Sequence, residues 1–146
     1  MDAPVELAED ECRRLLGHNV VGRFGFTTPD GPQIIPVNYA WVSEAITIRT
    51  TGYSVLAQHL PGAAAAFEID HLDYENQRGW SVLATGHAEH VDDLEEVAEI
   101  ARTWNPRPWA GGNRPLYLRL FPERLSGRRT GPGWDPFAHL PVQRVL

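Results

Sequence analysis

A chain of 146 residues that is 42% hydrophobic can bury the core of one ordinary domain, which excludes a disordered or fibrous protein. Thirteen basic residues against 19 acidic ones give a formal charge of -6, and the cations are mostly scattered, so nucleic-acid binding is excluded as a leading function. No apolar run approaches the roughly 20 residues of a membrane-spanning helix, the N-terminus is acidic rather than leader-like, and Cys12 stands alone, so a soluble cytoplasmic protein without a disulfide or thiolate metal site is expected.

Leu7, Cys12, Leu15 and Leu16 recur at helical spacing and Gly17 offers a left-handed stop, so residues 8–16 are read as a short amphipathic helix within an N-terminal region of 1–18. β-branched and aromatic residues dominate 20–28, Pro29-Asp30-Gly31-Pro32 is a turn, and 33–42 resumes the strand pattern, giving a hairpin. Ser43-Glu44 makes a tight link into 45–51, where Ile46 and Ile48 alternate with Thr47 and Arg49, so three antiparallel strands form a meander. Gly52 breaks the third strand, Ser54 is placed to cap one or two helical turns over 55–60, and Pro61-Gly62 ends them.

Residues 63–70 and 80–91 read as two further strands on either side of a polar, turn-rich stretch. Asp92 or Asp93 then caps a helix with Leu94, Val97, Ala101 and Trp104 on one stripe. Residues 105–115, with three prolines and two glycines, must be loop; 116–126 is a final strand; and 127–146 is a Pro-, Gly- and Arg-rich tail that packs on the folded body. The fold class is mainly β with α: one domain over 1–146, a six-stranded antiparallel barrel with short flanking helices.

Walker-type, dinucleotide-type, zinc-protease and serine-hydrolase motifs are absent, and the six histidines never share a helix face at i, i+4, so no metal site is expected. Arg119, Arg124, Arg128 and Arg129 form a local basic patch suited to one small anion. The stretch from Ile48 to Val55 ends a strand in Arg49, Thr50 and Thr51, turns at Gly52 and enters a helix at Ser54, which suits an anion cradle of hydroxyls, backbone N–H groups and a guanidinium. An ordinary helix cap beside an exposed arginine is an equal reading of the same residues. Pro36 removes a ladder donor from its strand, so Pro36-Val37-Asn38-Tyr39 offers backbone along which a heteroaromatic ring can lie. Trp104, Pro106, Pro108 and Trp109 form a second cluster, either a pocket lid or a rigid loop packed on the barrel.

In their order and spacing these pieces resemble the pyridoxamine 5'-phosphate oxidase-like split-barrel family, in its nitroimidazole-resistance-type branch, over about residues 7–129. The matching pieces are Gly22-Arg23, Gly31-Pro32 with Pro36-Val37-Asn38-Tyr39, Arg49-Thr50-Thr51-Gly52, Ala66-Phe67-Glu68-Ile69-Asp70, Gly79-Trp80-Ser81-Val82, Gly86-His87-Ala88 and Leu125-Ser126-Gly127-Arg128-Arg129. The resemblance implies a split β-barrel homodimer with FMN at the subunit interface. It also implies that Pro36, Val37 and Asn38 face the isoalloxazine, that Arg49, Thr50, Thr51, Ser54 and Val55 surround the phosphate, and that Trp80 and Ser81 contribute to the same site. Tyr39 and Trp109 are candidates to border the substrate space, with Arg128 or Arg129 holding an acidic substrate; a buried hydroxyl, loop packing and a solvated tail are the competing readings.

Relatives usually place a lysine shortly after the turn glycine, where this chain has Ser54; all 13 of its basic residues are arginines. Either Arg49 or a partner arginine replaces that charge, or the ligand differs, with a deazaflavin or haem as the alternatives. The expected activity is hydride or electron transfer at the flavin on an unknown small molecule, with no side-chain nucleophile assigned. The alternatives are a non-catalytic flavin, deazaflavin or haem binding or sensing protein, and a barrel that has lost its ligand.

Overall fold

The computed structural model describes residues 3–131, 133–138 and 140–141. In chain order it contains β1 (Val5–Leu7), α1 (Glu9–Gly17), β2 (Val21–Thr28), β3 (Gly31–Asn38), β4 (Ala40–Val42), β5 (Ala45–Thr50), α2 (Val55–His59), β6 (Ala64–Asp73), β7 (Arg78–His90), α3 (Leu94–Trp104), β8 (Leu116–Leu120) and β9 (Arg124–Thr130). All strand pairings between these elements are antiparallel.

The long strand β7 splits the barrel. One edge pairs with β6 along its length, while the other pairs with β9 from Gly79 to Thr85 and then with β8 from Ala88 to His90. One sheet therefore runs β3-β2-β6-β7-β9-β1, and β4, β5 and β8 extend the far end of β7. The change of partner falls at Gly86, where the chain between β8 and β9 crosses so closely that a Cβ would sit 2.7 Å from the Phe121 carbonyl oxygen. Only glycine admits that approach.

The turns form as their residues dictate. Ser43 and Glu44 both take positive φ (50° and 66°), the two-residue arrangement whose twist suits the β4–β5 hairpin. Gly31 takes φ 112° at the β2–β3 turn, where the Thr28 hydroxyl donates to the Gly31 carbonyl at 3.1 Å. In the β6–β7 hairpin the Asp73 carboxylate accepts from the Asn76 backbone, the Asn76 amide and Arg78 Nε, at 3.2, 2.9 and 2.9 Å.

Three expectations need correction. The strand read over 33–42 is two: at Tyr39 the backbone N–H turns to the Val20 carbonyl and the hydroxyl to Leu16, so β3 stays an edge strand while β4 joins the other sheet. The strand read over 116–126 is also two, parted by Phe121-Pro122-Glu123, and Gly127 to Thr130 continue β9 rather than begin a tail. β1 is too short, with only Leu7 buried, to show a pattern of its own. Nine strands replace the six expected, and the antiparallel, incompletely closed architecture stands. Residues 142–146 of the tail lie outside the described part of the chain.

The barrel interior is filled by Phe24, Phe67, Ile46, Ile48, Leu118 and Leu120, closed at one end by Cys12, Leu15 and Leu16 of α1. The stripe of α3 that packs is Val97, Ile100 and Trp104, against Val42, Val91 and Tyr117; Leu94 and Ala101, assigned to it from spacing, face solvent. No helix among the described residues is long and apolar enough to cross a membrane.

Candidate functional site

The free edge of β3, the end of β5, the start of α2 and the loop before β8 enclose a cavity of about 340 Å³. β3 pairs with β2 alone, and Pro36 has no N–H to offer a neighbour, so this edge is left for something other than a strand. The lining includes Pro36, Val37 and Asn38 from β3, Arg49 and Thr50 from β5, and Ser54 and Val55 at the start of α2. Sequence reasoning placed these same residues around one ligand. Thr51 lies beside them and closes the turn, its carbonyl accepting the Ser54 N–H at 3.2 Å.

Local hydrogen bonds fix this wall. Ser54 Oγ accepts from the Ala57 N–H at 3.0 Å as the cap of α2 and from the Thr50 hydroxyl at 2.7 Å. The cap reading of this segment is realised, and the capping serine also lines the cavity. Asn38 Oδ1 accepts the Trp109 N–H at 2.8 Å, which ties the proline loop to the strand edge and leaves the Asn38 amide nitrogen as a donor toward the cavity side.

That loop supplies what the sequence reading missed. Pro108, Ala110 and Arg114 complete the cavity, so the loop is both packed on the barrel and part of the site. Arg49 Nε donates to the Arg114 carbonyl at 3.2 Å and Arg49 Nη1 to the Pro106 carbonyl at 3.4 Å, while its guanidinium lies 5.5 Å from the centre of the Tyr117 ring. Arg114 Nε is buried and has no hydrogen-bond partner among the described residues. A buried donor without an acceptor is costly. Its signal in the sequence was the second of two arginines in a Pro-, Gly- and Asn-rich loop, 60 residues beyond Ser54, and only the fold brings Arg114 and Ser54 together.

Among the described residues no carboxylate lines the cavity, and neither Arg49 nor Arg114 forms an ion pair with an acid. Several arginines elsewhere are neutralised, Arg23 by Glu68 and Asp70, Arg78 by Asp73 and Arg119 by Glu89 and Glu96. The site is thus a concave, partly apolar space with two unneutralised guanidiniums and two hydroxyls at one wall, suited to an aromatic ligand carrying an anionic group.

The remaining candidates lie elsewhere. Trp80 is 4% exposed in the core cluster, whereas Ser81 points to the opposite face, as neighbours on a strand must. Ser81 and Arg128 stand opposite each other on β7 and β9, with Asp70 and Glu6 in the same cross-strand row, and they line a different hollow of about 620 Å³ on the outer face of the larger sheet. Tyr39, expected beside a substrate, is buried in the core with its hydroxyl donating to Leu16 at 2.7 Å. The Trp109 side chain is exposed and does not line the cavity, although its backbone N–H is held by Asn38. The expected arginine patch does not converge: Arg119 is held by Glu89 and Glu96, and Arg129 donates to the Trp134 carbonyl.

On the same outer face, burial and the neighbouring Asp70 carboxyl push the Glu68 carboxyl up to about 7 against the opposing pull of Arg23. The Glu68 side chain accepts from Arg23 at 2.8 Å.

The model of the pyridoxamine 5'-phosphate oxidase family matches residues 8–129. An uncharacterised protein of Mycobacterium tuberculosis is 35% identical over 130 residues, covering 86% of this chain and 84% of its own. Among solved structures, a candidate pyridoxamine 5'-phosphate oxidase of Corynebacterium glutamicum superposes with a TM-score of 0.76 at 30% identity, covering 92% of this chain and 99% of its own. An FAD-binding protein of Mycobacterium smegmatis superposes with a TM-score of 0.73 at 27% identity, covering 87% and 98%.

Proposed function

The chain belongs to the pyridoxamine 5'-phosphate oxidase family, and from that premise we propose that it is a flavin-nucleotide oxidoreductase acting as a homodimer on a small molecule. The observation that carries this reading is the buried, unpartnered Nε of Arg114 beside Arg49 at a cavity without acids. A phosphate ester supplies the acceptor that this donor lacks, and Arg114 takes the place of the family's missing lysine after the turn glycine. The M. smegmatis protein, which binds FAD, supports the same cofactor class.

FMN is the smallest flavin nucleotide that meets these groups. Arg49 and Arg114 would hold its phosphate with the Thr50 and Ser54 hydroxyls, and the apolar strand edge of Ile35 to Val37 would lie against its ring. The Asn38 amide nitrogen, oriented by the Trp109 contact, is placed to donate to a ring carbonyl. When bound, the flavin supplies the hydride or electron transfer, and the protein contributes orientation and electrostatics. Among the described residues, the cavity lining offers hydroxyls and guanidiniums suited to a phosphate and no His, Cys, Met or Tyr, so a flavin nucleotide is the reading these residues favour.

The outer face supports the dimer part of this reading. Ile34 and Leu83 are 73% and 43% exposed there, on cross-strand rows that also hold Ala66 and Pro36, and Pro36 belongs to the cavity as well. A second copy laid on this face would bring Ser81 and Arg128 toward the open side of the cavity. Localisation in the cytoplasm suits a reduced lone cysteine and remains part of the same reading.

An absorption spectrum of the purified protein, followed by titration with FMN, FAD, a deazaflavin and haem, tests the reading. Flavin bands near one per chain, with a dimer by sedimentation, are expected. Binding of haem alone, or of none of the four, would overturn it.

A further inference from the structure

A second hollow of about 230 Å³ adjoins the first and shares Arg49, Pro108, Ala110 and Arg114 with it. Its own additions are Arg107 and Gly112, so three arginines and no acid line it. Arg107, like Arg49 and Arg114, has no carboxylate partner among the described residues. Among the described residues Arg14, Arg124, Arg128 and Arg129 also lack an acid partner, but Arg49, Arg107 and Arg114 line one hollow together, which concentrates positive charge locally on a chain of net charge -6.

A single phosphate ester carries about 1.5 to 2 negative charges. Arg49 and Arg114 already match it, which leaves Arg107 and the second hollow in excess. Gly112, at φ 101° with open space where its Cβ would be, keeps that hollow free of side-chain bulk.

We propose that Arg107, next to Arg114, forms a second phosphate subsite beside the flavin cavity, so that the protein binds a phosphate in addition to that of a flavin mononucleotide. The proposal rests on the flavin reading for the occupant of the larger cavity. The extra phosphate comes either from the same molecule, as in a flavin dinucleotide, or from a phosphorylated nicotinamide dinucleotide bound next to the flavin. Both present a phosphate oxygen to the same guanidinium.

The test compares wild type with Arg107→Ala; the residue is exposed, so the fold is retained, and circular dichroism and thermal melting check this. If the phosphate belongs to the flavin, FAD binds wild type at least about tenfold more tightly than FMN, and Arg107→Ala removes the difference without weakening FMN. If it belongs to a second molecule, FMN-loaded wild type prefers NADPH to NADH by a similar factor, and Arg107→Ala removes that preference. Inorganic pyrophosphate, titrated calorimetrically into ligand-free protein, reads the subsite independently of any flavin: binding by wild type and not by Arg107→Ala supports it even where FMN and FAD both fail. Equal behaviour of wild type and Arg107→Ala in all three titrations overturns it while leaving a simple flavin site intact.

Discussion

Arg49 Nε donates to the carbonyl oxygen of Arg114 at 3.2 Å, so the cation at the end of β5 holds in place the loop that carries the second cation of the site. Its Nη1 holds Pro106 of the same loop at 3.4 Å. The planar guanidinium makes both contacts at once, which a single ammonium cannot.

Arg49→Lys therefore separates charge from anchoring. Hydrogen exchange across residues 105–114 should rise in Arg49→Lys as much as in Arg49→Met, because both lose the paired carbonyl contacts. FMN affinity should fall by about tenfold to a hundredfold in Arg49→Met and by less in Arg49→Lys, which keeps the positive charge. Equal affinities for the two variants would mean that Arg49 serves only the loop.

Gly22 tests the core behind the site. A Cβ there would lie 2.2 Å from the Phe67 ring, and that ring cannot retreat, since Phe24 and Tyr39 pack on it with centroids 4.9 and 4.8 Å away. Gly22→Ala should cost about 1–3 kcal/mol and lower the melting temperature by about 3–10 °C. The double variant Gly22→Ala/Phe67→Leu should lose less than the two single losses combined, because the smaller side chain makes room for the methyl. Strict additivity in calorimetry would show that the two positions do not collide.

Glu68 sets a pH dependence whose sign can be worked out. Its carboxyl is pushed from an ordinary 4.5 to about 7 by burial and Asp70, so the folded chain keeps this proton where the unfolded chain has lost it. Its contribution to stability is full below about 4.5 and is lost as pH rises through about 7. Glu68→Gln should flatten the stability profile between these values and leave it unchanged below them. Because a third of the side chain is exposed, solvent screening keeps the amplitude modest. Chemical denaturation at a series of pH values reads it, and an unchanged slope in the variant would assign the dependence to other carboxylates.

The order of elements could be read from the chain because its punctuation is local. Ser43-Glu44, Gly52 with Ser54, and Asp93 each fix a turn or cap through their own backbone angles or hydrogen bonds, and each is found where its residue type demands. The strand-edge half of the cavity was legible for the same reason: Pro36 to Asn38 and Arg49 to Val55 are two short stretches whose chemistry is evident in sequence. What could not be read depends on contacts distant in the chain. Nothing local says that β7 changes partners at Gly86, that Tyr39 turns its hydroxyl to Leu16, or that Arg119 is neutralised by Glu89 and Glu96. Arg114 was missed on the same grounds, because a loop arginine looks solvated until the fold buries its Nε.

That burial gives a signature that distinguishes a binding residue from a structural one. In the ligand-free chain, Arg114 Nε is buried with no acceptor among the described residues, an arrangement that costs about 1–3 kcal/mol. Methionine has a comparable unbranched stem and no donor to satisfy, and the backbone carbonyl that Arg49 uses is retained. Arg114→Met should therefore leave the melting temperature of the ligand-free protein unchanged or raise it, while lowering FMN affinity at least about tenfold. The stabilisation that saturating FMN gives to the wild type should shrink in parallel, since that increment is set by affinity. A structural arginine behaves otherwise, losing stability with and without ligand together. A variant that melts lower when ligand-free but binds FMN as tightly as wild type would remove Arg114 from the site and leave Arg49 as its principal cation.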